Sequence, residues 1–281
     1  MTWMNLPEEY RKGKFAILPI EYEKDVTYGQ GASLGSKEII KASKHLEYYD
    51  DQFDCEPFLK GIKLLEPLSL LNVSPEEMVE KVAEKVQQQG DKFLISLGGD
   101  HAVTIGIVKG LEEIHDDFSV IQFDAHADFR DGWNNSSLNH ACVAKQISKN
   151  HSMALIGIRS MDSDEKRDIE NHDNVHMIKS YELDKDIFHE TMEKLKDKVY
   201  ITIDVDVFDP SFLRNTGTPE PGGIFWEQMV GMLKGIFKEK EVIGADIVEF
   251  APKVNYEAEA HALAKLCYKI MSLHQKYQRS S

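Results

Sequence analysis

The chain has 281 residues, 42% of them hydrophobic and 29% charged, and a formal net charge of −15. That balance excludes a disordered chain and is enough to bury one large core. The acidic excess repels phosphate backbones and anionic lipid heads, so neither nucleic acid nor a membrane is an expected partner, while small cationic molecules are weakly favoured.

Taken in order, the predicted elements alternate between strand and helix. Residues 15–20 are an apolar run of strand length. Ser36 stands in cap position for a helix over 37–46. Ser74 and Glu77 spell a capping box with Pro75 at the first helical position, which predicts a helix over 75–89 with Met78, Val79, Val82 and Val86 on one face. Further strands are predicted at 93–97, 120–123, 154–158, 199–203 and 242–248, and further helices at 104–114, 188–196, 227–237 and 258–277. The polar loop over 128–140 is too short to separate domains. The expected fold is therefore α/β: a single three-layer domain over 1–281, with a mostly parallel sheet and helices on both faces.

Residues Met1 to Tyr10 carry Glu8 and Glu9 and lack the apolar core of a signal peptide. No apolar run approaches the roughly 20 residues of a membrane helix. Cys55, Cys142 and Cys267 are odd in number, far apart and without a Cys-x-x-Cys pair, a pattern that fits reduced thiols. A cytoplasmic protein is expected.

In open parallel sheets the ligand site lies beyond the carboxyl ends of the strands, and here those ends share one chemistry. Strand 93–97 runs into Gly98-Gly99-Asp100-His101, and strand 120–123 into Asp124-Ala125-His126-Ala127-Asp128. Strand 199–203 runs into Asp204-Val205-Asp206, and strand 242–248 into Glu249. In extended chain, residues i, i+2 and i+4 share a face. Asp124, His126 and Asp128 would point one way with the alanines behind them, and Asp204 and Asp206 one way with Val205 and Val207 behind. With His101 this makes a set of carboxylates and imidazoles whose crowded charges call for divalent cations. Six ligands exceed one tetrahedral site, so two metals are expected. Hard ligands without thiolate suit Mn²⁺ more than Zn²⁺, with Co²⁺, Ni²⁺ and Fe²⁺ left open. Paired metals make water nucleophilic near neutral pH, so the implied chemistry is metal-assisted hydrolysis. Asp100, and Asp209 before Pro210, read equally well as cap or turn residues, and His45 and His274 as ordinary surface or core histidines.

These motifs, together with Asp206-Val207-Phe208-Asp209-Pro210 and the downstream Gly217-Thr218-Pro219-Glu220-Pro221-Gly222-Gly223, resemble the ureohydrolases, the arginase–agmatinase family. The resemblance runs from the region 29–40 to the terminal helix. It implies that His101, Asp124, Asp128 and Asp204 bind one Mn²⁺ and that Asp124, His126, Asp204 and Asp206 bind the other. It implies that Glu249 grips the substrate guanidinium and that His140, in Asn139-His140-Ala141-Cys142, shuttles a proton from a mobile loop. His140, Asp128 and Glu249 are the residues expected to carry the chemistry, with urea and an amine as products and a homo-oligomer, trimer or hexamer, as the assembly.

Within the family, Asp128-Phe129-Arg130-Asp131 looks like the agmatinase branch, which makes agmatine, cleaved to putrescine and urea, the expected substrate. Asn139 stands where agmatinase-like sequences commonly carry serine. Arg130 has two readings: a cleft residue that receives a carboxylate, which would suit guanidinobutyrate or guanidinopropionate, or a solvated loop arginine. Arginine itself is a further alternative substrate. The related deacetylases share the fold but use one zinc and fewer carboxylates, whereas His126 and Asp206 are both present here. Two readings come from other classes. Gly31-Ala32-Ser33-Leu34-Gly35 matches the G-x-S-x-G of a serine hydrolase with Ser33 as nucleophile, but only Val26-Thr27-Tyr28 precedes it where an elbow needs a strand. The other is a non-catalytic metal-binding assembly protein.

Overall fold

The computed structural model describes residues 2–278. Nine strands form one sheet: β1 (Phe15–Glu21), β2 (Ile62–Leu64), β3 (Leu68–Ser69), β4 (Phe93–Leu97), β5 (Ser119–Phe123), β6 (Met153–Ile158), β7 (Val175–Lys179), β8 (Lys198–Asp204) and β9 (Glu241–Val248). Their order is β2-β1-β4-β9-β8-β5-β6-β7, with β3 continuing beside β1. Every ladder between named strands is parallel.

Parallel strands buried on both faces read as continuous apolar runs, and β4, β5 and β6 are buried along their whole lengths. The pleat sends alternate side chains to two separate cores. Phe15 and Ile17 join a cluster with α1 (Gly35–Ser43), α6 (Lys185–Glu193), α7 (Trp226–Glu239) and α8 (Glu257–Tyr277). Ala16, Leu18 and Ile20 join the opposite cluster with α2 (Pro75–Gln87), α3 (Val103–Glu112), α4 (Val143–Ile147) and α5 (Ser163–Glu170). This is the three-layer α/β arrangement expected from the sequence.

Several local expectations are corrected. Ser36 is not a cap: α1 begins at Gly35 without a side-chain cap, and Ser36 is buried in its first turn with Oγ unpartnered. Ser74 does cap α2, its Oγ accepting from the Glu77 amide at 3.1 Å. The reciprocal arm of the box is missing because the Glu77 carboxylate pairs with Lys81 instead, at 2.8 Å. Strands β2, β3 and β7 and helices α4 and α5 are too short, or too mixed in polarity, for periodicity to reveal them. The predicted ends at 1 and 279–281 lie outside the described residues.

The segment 50–55 is pinned to α8 by a buried ion pair. Lys269 Nζ lies 2.6 Å from Asp50 Oδ1 and over the Phe53 ring at 5.1 Å. Asp50 Oδ1 also accepts from the amides of Gln52 and Phe53. Removing one partner of a buried pair leaves the other charge without solvent or counter-ion. Lys269→Met is expected to cost about 3–5 kcal/mol by urea unfolding, and Ser74→Ala about 1 kcal/mol. Equal, small losses would show that Asp50 is solvated once Lys269 is gone.

Candidate active site at the central strand ends

The four central neighbours in the sheet are β4, β9, β8 and β5, and all the expected site residues but His140 and Arg130 follow their carboxyl ends. The chain leaves β4, crosses over β9 and β8 through α3, and returns at β5, which opens a crevice at a reversal of strand order. Gly98 and Gly99 let the chain turn there. A Cβ on Gly99 would lie 1.7 Å from the Tyr22 carbonyl oxygen, so no other residue fits that crossing. The turn delivers His101 to the head of α3, fully buried.

His101 is the centre of the cluster. Its Nδ1 lies 3.2 Å from Asp124 Oδ2, 3.1 Å from Asp128 Oδ2 and 3.4 Å from Asp204 Oδ2, yet has no hydrogen-bond partner of acceptable geometry. The opposite nitrogen explains why. Thr202 donates its hydroxyl to Asp246 Oδ1 at 2.6 Å, so its oxygen accepts from His101 Nε2–H, 3.0 Å away. Asp246, also bonded by Thr104 and Tyr200, is an acceptor only. That chain commits Nε2–H as a donor and leaves Nδ1 facing three carboxylates, the nitrogen that a metal would take in place of its proton.

The neighbouring group is Asp124, His126 and Asp206. His126 Nδ1 lies 2.8 Å from Asp206 Oδ2 and 3.8 Å from Asp124 Oδ1. One ligand atom from each of His101, Asp124 and Asp128 lies within 4.8 Å of the others, and the same holds for Asp124, His126 and Asp206, with Asp124 shared. Asp204 joins through its 3.4 Å approach to His101.

The way these residues converge differs from simple alternation. β5 ends at Phe123, the Asp124 carboxylate accepts from the His126 amide at 2.6 Å, and Asp128 sits at φ 50°. Likewise Asp204 caps a 3-10 turn over Val205–Val207, its Oδ1 accepting from the Asp206 amide. Ala125, Ala127, Val205 and Val207 are nevertheless buried behind the cluster as expected. Asp100 and Asp209 are turn residues: each accepts backbone amides through both oxygens.

Burial and mutual repulsion set the charge state. Burial, then the charges of Asp128 and Asp206, raises Asp124 to about 7. Burial raises Asp204 and Glu249 well above the carboxylate range, with Asp206 and Asp100 respectively the next causes. Burial by itself disfavours charged imidazoles, yet the surrounding carboxylates hold His101 well above its usual value and His126 at about 11. The cluster thus takes up protons to offset its own negative charge. An unpartnered buried nitrogen among carboxylate oxygens is the donor set of a divalent cation, so the residues fit the two-metal expectation.

A cavity of about 410 Å³ opens above the cluster, lined by Asp128, His126, Asp204 and Asp206 at its floor and by Glu249 and His140. Glu249 is at φ 64°, its amide bonded to Gly99 O and its Oε1 accepting from the His101 amide at 2.7 Å. His140 stands at the head of a capped turn. The turn is 3-10 and its cap is Asn139, whose Oδ1 accepts from the Ala141 amide, and His140 Nε2 bonds Thr27 Oγ1 at 2.9 Å. Burial lowers its pKa. Asn139 is buried and spent on this cap. Arg130 lines the cavity, as the cleft reading expects, but its guanidinium is paired within the protein, with Asp162 at 3.1 Å and Glu165 at 3.6 Å.

Sequence reasoning missed Thr27, Trp133, Asp162, Glu165 and Glu220 in the cavity wall, and the Thr202–Asp246 support. The Asp162-to-Glu165 spacing was a legible capping-box signal; nothing in the sequence marked it as lining the cavity. Ser33 stands in a 3-10 turn with its Oγ donating to Glu23 at 2.9 Å. A carboxylate, not an imidazole, holds it, and no strand precedes it, so the nucleophile-elbow geometry is absent.

The raised values fix a pH dependence for the metal-free protein. A carboxyl whose folded pKa of about 7 exceeds its ordinary 3.8 binds its proton more tightly in the folded state. Its contribution is complete below about pH 4 and is lost as pH rises to about 7. His126, raised from 6.5 to about 11, carries the loss further upward. In chelator, the melting temperature is expected to fall steadily from pH 5 to pH 9, and Asp124→Asn to flatten the lower part of that slope. A stability that rises with pH in that window contradicts the crowded-carboxylate account.

The sequence matches the model of the arginase family over residues 13–272. It is 33% identical to an N(1)-aminopropylagmatine ureohydrolase of Synechocystis sp., covering 96% of this chain and 92% of that protein. It is 31% identical to an agmatinase of Pyrococcus horikoshii, covering 96% and 95%. The crystal structure of agmatine ureohydrolase of Thermoplasma volcanium superimposes with a TM-score of 0.87 at 26% identity, over 99% of this chain and 95% of that one. The chain therefore belongs to the arginase family, as an amidinohydrolase of the agmatinase-like ureohydrolases.

Proposed function

We propose that the whole chain acts as one catalytic domain that hydrolyses an amine-tailed alkylguanidine, agmatine in the simplest case, to urea and the free amine. Two Mn²⁺ ions would be held by His101, Asp124, Asp128 and Asp204 and by Asp124, His126, Asp204 and Asp206. The observation that carries this reading is His101 Nδ1, buried among three carboxylates at the floor of an acidic cavity and without a hydrogen-bond partner of its own. Hard oxygen donors with a minority of imidazole favour manganese.

The metals supply the Lewis acidity that makes water a nucleophile near neutral pH; the protein does the rest. Glu249, a buried carboxyl held protonated for want of a cation, regains its charge when a guanidinium pairs with it, and so fixes the guanidine carbon over the floor. Asp128, which reaches the cavity at the same floor, accepts the proton given up by the attacking water. His140, neutral at pH 7 because burial lowers its pKa, acts as a relay: it takes a proton and returns it to the leaving nitrogen. Thr27 holds its ring in place.

Among the described residues, the outer cavity wall carries Asp162, Glu165 and Glu220 against one guanidinium, Arg130, which suits an ammonium tail and not the carboxylate of a guanidino acid. The relatives named as aminopropylagmatine ureohydrolases favour a second reading, the aminopropyl-extended form of agmatine, whose additional ammonium the same wall would accommodate.

Protein loaded with Mn²⁺ is expected to release urea from agmatine or its aminopropyl derivative, to lose that activity in chelator, and to leave arginine and guanidinobutyrate nearly untouched. Urea from none of these guanidines would overturn the reading. Glu249→Gln, which keeps the bond from the His101 amide, is expected to lower kcat/KM on the order of 10²- to 10³-fold, the effect of unpairing one buried charge. Thr202→Val removes the acceptor of His101 Nε2–H and is expected to weaken Mn²⁺ binding about 10- to 100-fold by titration; unchanged affinity would mean that His101 needs no such support.

A further inference from the structure

Among the described residues, Arg130 is the one guanidinium in the cavity wall, and its charge is already committed. Its Nη2 lies 3.1 Å from Asp162 Oδ2 and 3.6 Å from Glu165 Oε2, and its guanidinium carbon lies 4.8 Å from the centroid of the Trp133 ring. The two acids are themselves fixed by backbone bonds. Asp162 Oδ1 accepts from the amides of Asp164 at 2.8 Å and Glu165 at 2.9 Å. Glu165 Oε2 accepts from the Asp162 amide, and its Oε1 from the amide of Phe129, beside Arg130 in sequence. The partners that hold Arg130 are therefore not free to follow it elsewhere.

We infer that this clamp decides between substrate tails. Released, Arg130 would offer a planar bidentate fork to a tail carboxylate. Held by Asp162 and Glu165, it serves as wall, and the outer cavity keeps the excess of negative charge that admits ammonium and rejects carboxylate. Specificity against guanidino acids thus comes from sequestering a cation, a repulsive element built by occupying the attractive one. The inference rests on the reading of the protein as a guanidine hydrolase.

The atoms allow a narrow test. In Asp162→Asn the Oδ1 cap survives, while the oxygen that faces Arg130 becomes an amide nitrogen that cannot accept a hydrogen bond from it. The helix start is kept and the closer arm of the clamp is lost, leaving only the 3.6 Å approach of Glu165. The ratio of kcat/KM for guanidinobutyrate over agmatine is expected to rise at least tenfold in Asp162→Asn, and to fall back in Asp162→Asn/Arg130→Met. An unmoved ratio overturns the inference. So does an equal rise in both variants, which would make the charge at position 162, not the release of Arg130, the cause. Calorimetric binding of guanidinobutyrate, measured without turnover, separates this from the functional reading. Tighter binding to Asp162→Asn that is lost in the double variant supports the clamp even where no urea is made; no gain in binding sinks the clamp even where the wild-type protein turns over agmatine.

Discussion

Four carboxylates, Asp124, Asp128, Asp204 and Asp206, meet at buried strand ends, and the rest of the site is arranged around that repulsion. Unpaired buried charge is among the least favourable things a fold can contain. Here, among the described residues, no lysine or arginine pairs with it: the imidazoles of His101 and His126 are the cationic partners in contact. An arrangement that must take up protons to hold together, and that keeps one buried imidazole nitrogen without a hydrogen-bond partner, is incomplete as a purely structural feature. The proposed metal pair is the simplest completion, because a divalent cation satisfies the carboxylates and Nδ1 at once.

Holding such a cluster requires a rigid frame, and the parallel sheet supplies it. The four strands that feed the site are mutual neighbours, each hydrogen-bonded on both sides, so their ends are fixed relative to one another. Behind them a second layer of bonds removes the remaining freedom. Tyr200, Thr104 and Thr202 converge on Asp246, and Arg159 donates to the carbonyls of Asp206, Val207, Phe208 and Glu220. A guanidinium satisfied wholly by carbonyl groups adds no hydrogen bond to the carboxylates in front of it. It fixes the turn that carries Asp206 and ties it to the loop that carries Glu220.

The legible and illegible parts of this protein divide along a physical line. Long apolar runs such as 93–97 and 242–248 announce buried parallel strands, because burial on both faces leaves no room for polar alternation. The ligand-bearing ends were legible because Asp124-Ala125-His126-Ala127-Asp128 concentrates rare chemistry in a short stretch. Local backbone form was not: a single positive φ at Asp128 or a short 3-10 turn at Val205–Val207 breaks the two-residue alternation without any periodic signal. Ser36 failed as a cap because α1 starts two residues earlier, where the Gly35 backbone packs on Phe250. The pairing of Arg130 was illegible for a related reason. Its fate is decided by Asp162 and Glu165, more than thirty positions away in sequence, and a loop residue read alone has no way to announce such partners.

Backbone strain within the cavity points to the same residues as the chemistry does. Asp128 and Glu249 are held at φ 50° and 64°, a region that disfavours residues with a Cβ by roughly 1–3 kcal/mol. Glycine at either position would relieve that strain and keep the turn, since the bonds that pin them, from Lys145 N to Asp128 O and from Glu249 N to Gly99 O, are made by backbone atoms. What glycine would remove is the carboxylate. The turn at Gly98-Gly99 shows that the chain uses glycine where only space is needed. Retaining a β-carbon-bearing residue at the two strained positions therefore serves the side chains: both hold His101, through its Nδ1 and its amide, and both face the cavity where a guanidinium would be bound.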